Sequence, residues 1–206
     1  MRAYHILILL LILSACKKNK FDDTAAAAHI TVPAYSETGA GTFGCYVNGV
    51  AWSNFGQQYI SGLYSNQPGH YVANTVQSIF TMHDQQDSIL YFTAQLTVQH
   101  SGAVIRNETM YMTLLKTKNL KGAYLFGQNS AYIFGYRNNL NGSLDYYSQP
   151  FSPFQVIINK DSVSGGIRII SGRFSGTVYR IPINSVLQKD SLKISGGVFD
   201  AGIKLP

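Results

Sequence analysis

The pair Asn48-Gly49 is flanked on both sides by alternating apolar residues, in the stretch Gly41-Thr-Phe-Gly-Cys-Tyr-Val-Asn-Gly-Val-Ala-Trp-Ser-Asn54. Asparagine and glycine both accept positive φ, which makes this dipeptide the strongest local signal for a two-residue hairpin turn. With Asn48 and Gly49 as the loop, Val47 faces Val50, Tyr46 faces Ala51, Cys45 faces Trp52 and Phe43 faces Asn54. Directly opposed residues share a face, and faces alternate along a strand. Phe43, Cys45, Val47, Val50 and Trp52 are therefore expected together on a core face. A cysteine in such a face acts as a small hydrophobe, and no nearby base or helix start lowers its pKa. The overlapping Gly39-Ala-Gly41-Thr-Phe-Gly44 satisfies G-x-G-x-x-G literally. A dinucleotide site needs a strand before that motif, a helix after it and an acid about 20 residues on. Here a hairpin strand follows and residues 58–66 hold no carboxylate, so the match is accidental.

The rest of the chain repeats this texture. Short apolar or aromatic runs alternate with glycine, asparagine and serine, the pattern of an antiparallel β-domain. Strands are expected at Gln58–Leu63, Gln77–Met82, Ser88–Val98, Ala103–Arg106, Thr109–Leu115, Gly122–Phe126, Ala131–Arg137, Ser152–Asn159, Gly166–Ile170, Gly172–Tyr179 and Ser191–Phe199. The best helical candidate, Ile183–Lys189, is short. The fold expected for residues 42–206 is all-β, a single antiparallel sandwich or barrel-like domain.

The N-terminus carries an address. Residues 6–13 are ILILLLIL, eight aliphatics where a membrane-spanning helix needs about 20. Leu13-Ser14-Ala15-Cys16 follows, then Lys17-Lys18-Asn19-Lys20. This resembles the bacterial lipobox, which implies a signal peptide over 1–15 and acylation of Cys16. Each buried methylene contributes about 0.8 kcal/mol, so two or three acyl chains anchor stably where one does not. Lipidation consumes Cys16 and leaves Cys45 alone, which excludes an intramolecular disulfide and a cysteine zinc site. The formal charge of +6 is scattered apart from Lys17, Lys18 and Lys20 beside the lipid, so no nucleic-acid partner is expected. Residues 16–41 lack periodicity and read as the lipidated cysteine and a flexible tether. Phe21-Asp22-Asp23 within it resembles the acidic export signal of Bacteroidota surface lipoproteins.

The order lipobox, tether, "GTFGCYVNGVAW", "GAYLFGQNSAYIFGY", "GGIRIISGRFSGTVYR" and "LKISGGVFD" resembles a family of uncharacterised Bacteroidota lipoproteins. The closing Gly196-Gly197-Val198-Phe199-Asp200 has one residue more than the family's Gly-x-Phe-Asp element. The resemblance implies a β-rich domain anchored in the cell envelope, in the outer membrane, with the side it faces left open. It carries no catalytic residues.

No catalytic motif emerges either. The histidines are scattered, there is no H-E-x-x-H pair and no G-x-S-x-G elbow. His83-Asp84-Gln85-Gln86-Asp87 is the densest polar constellation and reads as a solvated turn. No metal or cofactor is expected, and the chain is expected to be noncatalytic. The stretch from Tyr136 to Phe151 reads as a loop dense in tyrosine and asparagine, which give rigid contact area and adaptable hydrogen bonds. Tyr136, Arg137, Asn138, Asn139, Tyr146 and Tyr147 are its candidate contacts with a small ligand or an envelope protein. A lipocalin-like carrier holding an apolar ligand inside a barrel is the alternative, and a glycan-acting hydrolase a further one. Asp23-Thr24-Ala25, Asp87-Ser88-Ile89, Asp161-Ser162-Val163 and Asp190-Ser191-Leu192 resemble the O-glycosylation motif of Bacteroidota envelope proteins, with Thr24, Ser88, Ser162 and Ser191 as acceptors. Asp-Ser is also natural turn chemistry before a strand.

Overall fold

The structure, a computed structural model, describes residues 30–204 except 55, 61–69, 75–79, 86–88, 101–102, 116, 129–130, 141–143 and 181–189; for 56–60, 70–74, 80–85, 100, 144 and 204 it describes the backbone. The expected signal peptide, Cys16, Thr24, Ser88 and the helix candidate Ile183–Lys189 lie outside the described residues.

Asn48 and Gly49 have φ of +49° and +86°, the positive values that a type I′ loop requires. They join β1 (Thr42–Val47) to β2 (Val50–Ser53) with Val47, Tyr46 and Cys45 opposite Val50, Ala51 and Trp52, as expected. Phe43, Cys45, Val47, Val50 and Trp52 are all buried. Asn54 closes the hairpin: its side-chain oxygen accepts from the Phe43 N–H at 2.9 Å, and its own N–H donates to the Phe43 carbonyl.

Eleven further strands follow: β3 (Gly56–Ile60), β4 (His70–Asn74), β5 (Phe80–Gln85), β6 (Ile89–His100), β7 (Ala103–Leu115), β8 (Gly122–Phe126), β9 (Ile133–Asn138), β10 (Leu144–Tyr147), β11 (Phe154–Ser164), β12 (Ile167–Arg180) and β13 (Ser191–Lys204). No helix occurs among the described residues. The strands form one sheet in the order β2-β1-β13-β12-β10-β9-β7-β6-β3-β4, with β11 on β12, β8 on β11 and β5 on β6. Every pairing is antiparallel except the short β3–β6 contact, which is parallel. The sheet curls back over itself into a nearly closed, barrel-like shape. Strands far apart in the order therefore meet across one core: Cys45 of β1 lies 3.6 Å from Met110 of β7 (sulfur to sulfur), and Phe92 of β6 packs on Phe199 of β13. Phe43, Phe134, Phe154 and Phe174 form the aromatic centre of that core.

Four expectations need correction. Ala103–Arg106 and Thr109–Leu115 are one strand, because Glu108 between them is buried against Arg106 and the inward face is unbroken. Gly166–Ile170 and Gly172–Tyr179 are likewise one strand through buried Ser171. His83 and Asp84 sit in β5, opposite Tyr91 and Leu90, not in a turn. The stretch 30–41, read as tether, is docked on the domain: Ile30 enters the core, Pro33 covers Gly44, and the Tyr35 ring lies 4.5 Å from the Arg173 guanidinium.

Asp200 fastens that stretch. It is fully buried, and its carboxylate accepts from the hydroxyls of Ser36 and Ser171 and from the N–H groups of Thr38 (3.0 Å), Gly39 (2.8 Å) and Ala40 (3.1 Å). Burial alone would raise its pKa, but the hydroxyls of Ser171 and Ser36 and the N–H groups of Ala40 and Gly39 bring it down to about 2.

Candidate functional site

Strand alternation divides the candidate contacts between two faces. The stretch from Tyr136 to Phe151 is a β9–β10 pair rather than a loop, with Tyr136 opposite Tyr146, Arg137 opposite Asp145 and Gly135 opposite Tyr147. Tyr136 and Tyr146 point inward and are buried, with ring centres 6.0 Å apart. Tyr136 neighbours the buried Arg106–Glu108 pair, and the Tyr146 hydroxyl donates to Asp190 at 2.7 Å. Burial and that bond push the Tyr146 phenol up to about 12. Arg137, Asn139 and Tyr147 belong to the outer surface instead, while the Asn138 side chain accepts from the Leu140 N–H.

On the outer surface a line of residues runs in register across five strands: Thr93, Tyr111, Gly135, Tyr147 and Tyr179 on β6, β7, β9, β10 and β12. Tyr91 flanks Tyr111 with nearly parallel rings, 5.9 Å apart and 21° between planes. The Tyr111 side chain reaches across the sheet to Gly135, where a β-carbon would lie 2.5 Å from its hydroxyl. Glycine is what lets the ring lie there. Tyr147 stands at 71° to Tyr111 with centres 5.8 Å apart, and Tyr179 packs on Phe151, which is 72% exposed. Burial, and then the hydrogen bond to Tyr147, hold the Tyr111 phenol protonated far above the usual tyrosine range.

The adjacent outer line is polar: Gln95, Thr109, Arg137 and Asp145. Arg137 holds Asp145 through two nitrogens at 2.6 and 2.9 Å. That bond, against the opposing effect of burial, keeps Arg137 charged. Gln95 donates to Asn107 at 3.2 Å, and Asn139 donates to Asn107 and Thr109 at 3.1 and 3.0 Å. Tyr91, Tyr111 and Tyr179 are thus site residues beyond the six named from sequence. Their signal was the outward alternation Tyr91-x-Thr93-x-Gln95 and Thr109-x-Tyr111-x-Thr113.

Apart from Asp145, the carboxylates with described side chains are engaged elsewhere. Glu108 binds Arg106, Asp161 binds Arg168 and the Leu120 N–H, Asp190 accepts from Tyr146, Glu37 accepts from Tyr35, and Asp200 fastens residues 36–40. No cluster of three or more histidine, cysteine, aspartate or glutamate side chains suited to a metal occurs among the described residues. Ser162 lies inside β11 opposite Ile169, not in a turn, and Ser191 is exposed at the start of β13. A second outer feature is a groove of about 240 Å³ over Gly196 and Gly197, walled by Gln155, Ile157 and Arg173.

No family model, curated protein or solved structure matches this chain.

Proposed function

We propose that this chain is a lipid-anchored protein of the cell envelope, held in the outer membrane through acylated Cys16, whose β-domain is a noncatalytic binding module. Leu13-Ser14-Ala15-Cys16 and the resemblance to Bacteroidota lipoproteins support the anchor. The observation that carries the binding reading is the outer line Tyr111-Gly135-Tyr147-Tyr179, with the polar line beside it. Tyrosine gives a large, stiff contact at low entropic cost, and paired amides give hydrogen bonds around it. Among the described residues the interior is occupied by the protein's own rings, which favours a surface contact over a carrier cavity. The engagement of the described carboxylates supports a noncatalytic role.

A photo-crosslinking amino acid placed at Tyr179, and separately at Val163 on a distant exposed position, tests the reading in native cells. Adducts are expected from position 179 and not from 163. Equal adduct patterns from the two positions would sink it. Cys16→Ser is expected to release the protein from the membrane fraction.

A further inference from the structure

We infer that the outer tyrosine face takes a neutral, hydroxyl-rich glycan chain; this deepens the binding-module reading and rests on it. A sugar ring has two kinds of surface. Its flat faces carry apolar C–H groups, and its rim carries hydroxyls that both donate and accept. A site for it therefore needs aromatic rings that meet the flat face and polar side chains placed beside them.

The face has both. Tyr91 and Tyr111 stack as a pair of nearly parallel rings with centres 5.9 Å apart. Tyr147 stands steeply to Tyr111 as a wall at one end of the pair. Gln95, Asn107, Thr109 and Asn139 border the rings and hold one another in place. An amide carries two N–H donors and a two-lone-pair carbonyl, so these side chains have capacity for sugar hydroxyls beyond their mutual bonds. Gly135 lets Tyr111 rest on the sheet, so the ring is positioned before any ligand arrives. Such pre-organisation cuts the ordering cost of binding.

Charge selects the class. Arg137 and Asp145 neutralise each other in a two-nitrogen pair, so the described side chains of the face carry no net charge. An acidic polymer or an anionic headgroup would have to compete with Asp145 for Arg137. Length favours a chain over a single sugar. Neighbouring strands lie about 4.8 Å apart, so four spacings from β6 to β12 give a track of roughly 19 Å. Several rings fit along it, with Phe151 beyond Tyr179.

The test presents the full chain in detergent micelles to an array of neutral and acidic glycan chains, with titration of the retained ones. Neutral chains are expected to bind. Tyr111→Ala and Gly135→Ala should each weaken binding about tenfold or more, as loss of a central aromatic anchor does. Tyr111→Phe keeps the ring and should stay close to wild type, and Val163→Ser should match wild type. Thermal melts of each variant separate misfolding from lost contact, and Tyr179→Ala serves where Gly135→Ala fails to fold. Retention of acidic chains alone, or binding indifferent to Tyr111→Ala, overturns the inference. No retention, with crosslinks at position 179 persisting in cells, overturns the glycan class and leaves the binding module standing; loss of both sinks the module as well.

Discussion

Arg106 and Glu108, two positions apart on β7, face each other inside the core, with Nε 2.6 Å and the second nitrogen 3.0 Å from the two carboxylate oxygens. Residues i and i+2 share a strand face, so the spacing alone sends both charges inward. Both are almost completely buried. Breaking a buried pair strands a charge and costs about 3–5 kcal/mol, whereas replacing both with apolar residues is often neutral or stabilising. Glu108→Ala should therefore lower the urea midpoint steeply, and the double variant Arg106→Met/Glu108→Leu should recover most of it. A single variant that unfolds at the wild-type midpoint would show that the pair is solvated in solution.

Asp200 links stability to acid. Its folded pKa of about 2 lies below the unfolded aspartate value of about 3.9. A depressed carboxyl stabilises the fold above the unfolded pKa, and that contribution is lost as pH falls from about 4 toward 2. The size is about 2–3 kcal/mol. Asp200→Asn should flatten the acid limb of the stability curve, and hydrogen exchange at Thr38, Gly39 and Ala40 should speed up at neutral pH. Unchanged exchange at those amides would contradict the clamp.

Cys45 is fully buried beside Met110, and burial, reinforced by Glu108, pushes its thiol far above the usual cysteine range. The thiolate is the reactive form, so maleimide should leave Cys45 unlabelled in the native domain and modify it only on unfolding. Labelling rates should track the unfolding equilibrium across urea concentrations. Fast labelling in buffer would reveal local opening between β1 and β7.

Gly172 is a tight backbone passage of the core. A β-carbon there would collide with the Ile157 carbonyl oxygen and lie 2.8 Å from the Phe199 ring. Backbone on one side and a packed ring on the other leave little to yield. Gly172→Ala should cost about 1–3 kcal/mol, the usual penalty of overpacking. Gly202→Ala, whose β-carbon would meet its nearest neighbour at 3.1 Å, should cost less. Thermal melts of the two variants decide the ranking.

Local chemistry was legible in the sequence, and distant pairing was not. Asn48-Gly49 announced its own loop, register and buried face, and Gly122–Phe126 stood out between glycine-rich breaks. Failures came where a polar residue is buried with a partner. Glu108 and Ser171 look like interruptions to an apolar pattern, yet each is satisfied inside, by Arg106 and by Asp200. Ser36 to Ala40 looked like linker because their partner lies more than 150 positions away. Asp161 ties Leu120 to the β11–β12 hairpin and pairs with Arg168 across it, a link that the local Asp161-Ser162-Val163 pattern does not announce. At the outer face the named loop supplied Arg137, Asn139 and Tyr147. Tyr91, Tyr111 and Tyr179 join them only through the order of strands, which no single segment encodes.

The closing partnership between β1 and β13 sets the order in which the domain can be completed. Ser36 and Asp200 are separated by 164 positions, and β13 pairs with both β1 and β12. Long-range pairings form slowly because loop closure must precede the contacts that reward it. Until β13 arrives, the first hairpin has one edge open, β12 lacks its longest neighbour and residues 36–40 have nothing to grip. A chain truncated before Ser191 would lose three attachments at once, and would be expected to stay protease-sensitive throughout rather than fold into a smaller version of itself.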